Sequence, residues 1–197
     1  MFDAFKKSKI ITVAKHFCYR FAANRKGIAS IEFAVILPMM VLIFMASFEL
    51  SHALTINRRV HQVAGVTADV VARTTSFTTS ELDTMIQSID VIVEPYSNEP
   101  LSLSATHVVV DTNNPNNAIV CWSYSNKPGV AIPTQGSIYT LPDGLARGGE
   151  GLVIVEGEYI YQPALSIFLQ QDIPFRERLF LTTRNSQNIG LDGTTCQ

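Results

Sequence analysis

Glu32 is the single ionisable side chain in the run Ile28 to Phe48, IASIEFAVILPMMVLIFMASF, and it stands five residues beyond Gly27. A carboxylate inside an apolar helix is costly in a bilayer, least so near the interface, and calls for a partner. Cutting the peptide bond after Gly27 would create one, the new α-amine of Ile28 on a neighbouring chain. Glycine suits such a cut because it leaves the backbone unobstructed and free to extend into a protease cleft. Gly27 and Ile28 are therefore candidates for a proteolytic junction, and Glu32 for an intermolecular ion pair. The plainer alternative is a chance glycine beside a basic flank, with a glutamate near enough to the surface to reach the headgroups.

The element that must position these residues is a helix. Hydrophobic residues make up 47% of the chain and charged ones 16%, an apolar balance for a soluble domain, and the excess is concentrated in Ile28–Phe48. As a helix this run would span about 31 Å, close to the hydrocarbon thickness of a bilayer, and it shows no polar stripe of period 3.6. A transmembrane helix over 28–48 is expected. Lys6, Lys7, Lys9, Lys15, Arg20, Arg25 and Lys26 precede it against one acid, Asp3, whereas from Leu50 onward acids outnumber bases by fourteen to eight. Basic residues crowd the cytoplasmic side, so the expected orientation is N-terminus in, C-terminal bulk exported. Ser51-His52-Ala53 offers a small-x-small signal-peptidase site, but the apolar run is longer than a signal core. Within residues 1–27, Ile10, Val13, Ala14, Phe17, Cys18 and Phe21 form a helical apolar stripe suited to lying on the inner leaflet.

The junction Arg25-Lys26-Gly27-Ile28-Ala29-Ser30-Ile31-Glu32-Phe33, followed by an unbroken apolar run, resembles the processing signal of type IV pilins. The stretch Lys26–Leu50 is similar, more specifically, to TadE-type pseudopilins of tight-adherence (Tad, or Flp) pilus systems, on Gly27, Ala29, Ser30, Glu32, Phe33, Ala34 and Pro38. The resemblance covers about 25 residues and implies cleavage after Gly27 by an aspartic prepilin peptidase. It further implies a place in the bacterial inner membrane with a periplasmic C-terminal part, and assembly through Glu32, Phe33 and Pro38 with other pilin or pseudopilin subunits and the Tad secretion machinery. Phe33 stands where major Flp pilins carry tyrosine, and their mature chains are far shorter, so a minor pseudopilin active in pilus biogenesis and adherence is implied. TadG-type proteins have a similar helix without settled processing. An uncleaved anchor presenting a periplasmic binding domain to secretion components is the alternative.

Downstream, the expected helix continues over 49–75. Ile56, Val60, Val63, Thr67 and Val70 form one seam and Ala64, Ala68 and Ala72 a ridge of small residues, fit for sister helices or for the chain's own sheet. A second helix is expected from an N-cap at Ser80 to about Ser88. Strands are expected over 103–111, 118–124, 152–161 and 175–183, with a loop-rich stretch over 127–151. The fold class is α+β and pilin-like: a long N-terminal helix, a short helix and a small antiparallel sheet, the last two within a periplasmic domain over 76–197.

Cys121 and Cys196 both fall in the exported part, where an even pair predicts a disulfide tying the tail to the second strand. Nothing in the sequence has catalytic spacing. His52, His61 and His107 lack metal-ligand companions, there is no Gly-x-Ser-x-Gly, His-Glu-x-x-His or P-loop, and Gly148-Gly149-Glu150-Gly151 leads into a strand rather than a helix. Glu156 and Glu158, two apart on a strand, suit a solvated face better than acid–base work. No enzyme activity, metal, cofactor or small-molecule substrate is expected, and the acidic exported part disfavours nucleic acid.

Overall fold

The computed structural model describes residues 27–94, 101–163, 170–185 and 187–196. The basic leader, its helical stripe and Cys18 lie outside them. Helix α1 runs unbroken from Ile28 to Arg73 and contains Pro38, a residue tolerated in apolar helices when the freed carbonyl finds another partner. The chain falls into two compact units that divide after Phe48. In the first, every residue from Ile28 to Phe44 is exposed. An 18-residue window of α1 has a mean hydropathy of 2.4 and none of it is buried, so α1 is long and apolar enough to cross a membrane.

The second unit begins at Glu49. Here α1 acquires an inner face of Ala53, Ile56, Val60, Val63, Ala64, Thr67, Ala68, Val71 and Ala72, all buried. The expected seam and the small-residue ridge thus merge into one face, in which Val71 is buried in place of the half-buried Val70. That face lies on the chain's own sheet. A Cβ on Gly157 would stand 3.5 Å from Val60 Cγ1 and 3.6 Å from Ala64 Cβ, an approach open only to small residues. Sister helices cannot use this ridge while the sheet occupies it, which corrects that half of the expectation.

After Arg73 the chain forms a two-residue strand, β1 (Ser76–Phe77), and then α2 (Thr79–Asp90). The N-cap of α2 is Thr78, not Ser80: its hydroxyl accepts from the Glu81 backbone N–H while the Glu81 carboxylate accepts from the Thr78 N–H at 2.8 Å. This reciprocal capping box needs Thr and Glu three residues apart, and Ser80 has no such glutamate. The Thr78 N–H, with the Thr78 hydroxyl behind it, holds the Glu81 carboxyl below its usual pKa.

A 3-10 turn (Val91–Val93) precedes the sheet strands β2 (Leu101–Val110), β3 (Asn117–Ser125), β4 (Ile138–Thr140), β5 (Gly151–Tyr161) and β6 (Ile173–Thr182). They pair antiparallel in the order β4-β3-β2-β5-β6. β4 was not expected; three residues give too short a period to separate from the surrounding turns. Alternation sorts the side chains as strand geometry requires. Leu101, Leu103, Ala105, Val153, Val155, Tyr159 and Tyr161 join the core shared with the two helices. Val108, Val110, Val120, Leu152 and Ile154 form a second cluster on the other face, with Leu141 and Tyr139. A last strand, β7 (Gly190–Leu191), pairs parallel with β1.

Candidate functional site

The residues that suggest processing and assembly all lie at the start of α1. Gly27 immediately precedes the helix and is exposed, and a Cβ added there would meet nothing within 4 Å. Glycine is thus not required at this position for packing. Ile28 opens the helix and is 50% exposed, and Phe33 is 57% exposed. Glu32 and Pro38 are exposed as well. Among the described residues, none covers these side chains, so each is available to a protein or lipid neighbour. Ala53, the residue before the alternative signal-peptidase cut, lies inside α1 and is buried, where a protease cannot take it in extended form.

Far along the chain, Cys121 on β3 and Cys196 stand at disulfide distance, with Cα atoms 4.8 Å apart. They belong to a clasp around the C-terminal segment. The indole Nε1–H of Trp122 donates to the Ile189 carbonyl at 2.8 Å, and the Ile189 N–H donates to His107 Nε2 at 3.1 Å. The other ring nitrogen of His107 faces the Leu152 carbonyl at 3.1 Å. These partners fix the neutral tautomer with the proton on Nδ1. Burial lowers the His107 pKa, against a smaller opposing pull from the Leu152 carbonyl. Further out, the Asp192 carboxylate, at a backbone φ of 49°, accepts from the Thr79 N–H at 3.0 Å and from the Thr79 hydroxyl. Those two bonds lower its pKa. Tyr124 donates to Asp83; burial first, then that carboxylate, pushes the phenol pKa up.

The sequence did not single out His107, although the signal was present. Leu101, Leu103, Ala105 and His107 alternate along β2, which places the imidazole on the inward face. The two glutamates of β5 lie on the outer face. Arg178 Nε reaches Glu156 Oε1 at 2.6 Å, and Arg176 Nη2 reaches Glu158 Oε1 at 2.8 Å. They border a groove of about 650 Å³ together with Ser102, Ser104 and the Gly129–Ala131 loop. With each carboxylate held by its own arginine, the groove holds no poised acid–base pair. Among the described residues, no three His, Cys, Asp or Glu side chains gather as a metal site.

The architecture is that of an α+β protein built on a single N-terminal helix able to cross a membrane. Residues 27–69 match the TadE-like protein family, a match that starts at Gly27 and takes in the apolar run and much of the helix beyond it. No solved structure and no curated protein matches the chain.

Proposed function

We propose that the chain is a minor pseudopilin of a Tad pilus, anchored in the bacterial inner membrane with its C-terminal unit in the periplasm. A prepilin peptidase cuts it after Gly27, and the mature helix joins other pilin-type subunits in pilus assembly and surface adherence. The observation that carries this reading is the junction itself. A glycine with no packing duty stands five residues ahead of the one carboxylate in the exposed apolar run Ile28–Phe44, at the start of the family match. Cleavage gives Ile28 a free amine, and that amine on one subunit neutralises Glu32 on the next, which sets the axial register between helices. A charge-assisted pair away from bulk water is strong enough to choose one register over its neighbours.

The test is a pair of substitutions in the native host, read by gel shift and by pilus yield. Gly27→Leu should leave the chain at its uncut mass, and Glu32→Ala should be cut normally yet fail to enter assembled pili. Normal pili from Glu32→Ala would remove the register role. Unaltered size in Gly27→Leu relative to wild type would remove the cleavage.

A further inference from the structure

The C-terminal segment is held to the core by groups that respond differently to pH. Ile189 is fully buried, and both of its backbone polar groups are spent on side chains from the sheet, the carbonyl on Trp122 and the N–H on His107. Immediately after it, β7 closes on β1, with the Gly190 N–H donating to the Thr75 carbonyl and the Asp192 N–H to the Phe77 carbonyl. Beyond that, Cys196 stands at disulfide distance from Cys121.

We propose that residues 187–192 form an acid-released latch, with neutral His107 as its catch and Cys196 as the tether that lets it close again. The catch works because His107 Nε2 must accept from Ile189. A proton on that nitrogen turns the acceptor into a donor facing another donor, in a site where His107 is fully buried. Two opposed donors away from water cost far more than the hydrogen bond they replace. The imidazolium or the Ile189 peptide must therefore leave. If Ile189 leaves, Trp122 loses its acceptor and β7 separates from β1.

Among the described residues, no ionised neighbour offsets this response. The elements packed around His107 present Trp122 from β3, Leu152 and Val153 from β5, and Ile189 itself. The acids on nearby elements are turned to other partners. Asp69 meets Arg73 and Arg184, Asp83 meets Tyr124, Asp192 meets Thr79, Glu156 meets Arg178, and Glu177 meets His61. A histidine whose pKa is lowered in the closed form contributes stability that is intact above its open-form pKa and is lost as pH falls. The population of open latch should rise by up to about tenfold per pH unit below about 6.5, until the closed form itself takes up the proton.

Trp122 is the only tryptophan in the chain, so its fluorescence reports the latch directly. Oxidised full-length protein in detergent micelles would be titrated from about pH 7.5 to about pH 4.5, with helical circular dichroism followed in parallel. The latch predicts a reversible red shift of the emission below about pH 6.5 with helicity retained, and loss of that shift in His107→Gln, whose amide can still donate and accept. An emission unchanged across the range, or the same shift in a folded His107→Gln, overturns it. Hydrogen exchange at the Ile189 and Leu191 amides of wild type provides a readout that needs no variant. Exchange that accelerates on acidification relative to the β2–β5 amides supports the latch, and parallel changes throughout the sheet overturn it.

Discussion

At the scale of single residues, the chemistry is concentrated in a few side chains that packing does not explain. Gly27, Glu32 and Phe33 are all exposed on the described chain, so substituting them should leave the fold of the C-terminal unit intact. Gly27→Leu is expected to melt within about 0.5 kcal/mol of wild type, the usual range for exposed positions, while remaining uncut. This separates loss of processing from loss of folding, and thermal unfolding in detergent beside an immunoblot would measure both. The junction was legible in the sequence because abrupt charge loss, glycine and an isolated glutamate are local features. His107 was not, because its role depends on Leu152 and Ile189, distant in sequence. Alternation along β2 gave the direction of the ring, but no local pattern could supply its partners.

At the scale of elements, the inner face of α1 decides how the C-terminal unit packs. A Cβ built on Gly157 would stand at van der Waals distance from Val60 and Ala64, so Ala64→Leu would drive the helix off the sheet. A loss of about 1–3 kcal/mol is expected from such overpacking; the same change at exposed Val66, Val66→Leu, should have almost no effect in denaturant titration. Glu49 makes the opposite case. It is 1% exposed, and neither carboxylate oxygen has a hydrogen-bond partner among the described residues. Burying an unpaired carboxylate is unfavourable, so Glu49→Met should raise the unfolding midpoint, by about 1–3 kcal/mol if the lost penalty is that of one buried polar group. A lower midpoint would mean that Glu49 has a stabilising partner in the folded protein. The apolar periodicity gave α1 to within two residues of its end at Arg73, and β-branched runs placed β2, β3, β5 and β6. The start of α2 moved from Ser80 to Thr78 because the Glu81 side chain, rather than the serine pattern, chooses the cap. The pairing of β1 with β7 joins two dipeptides more than a hundred residues apart, and no periodicity exists over two residues.

At the scale of the whole molecule, the chain combines a helix that is exposed over Ile28–Phe44 among the described residues and a sheet unit whose tail is secured late in sequence. A bond between Cys121 and Cys196 closes a loop of 75 residues and should contribute about 2–4 kcal/mol. Reducing it, or making Cys196→Ser, should lower the unfolding midpoint accordingly and widen the pH range over which Trp122 becomes exposed. An unchanged midpoint after reduction would show that the two thiols are not joined. The TadE-like match covers only 27–69, so the sheet and its clasp lie outside the matched segment. The proposed function turns on maturation at Gly27, which the intact mass and N-terminal residue of the protein recovered from host membranes would report. A chain beginning at Ile28 is the predicted result. A chain that retains the residues through Gly27 would contradict it, leaving Glu32 without its amine and the protein an uncleaved anchor.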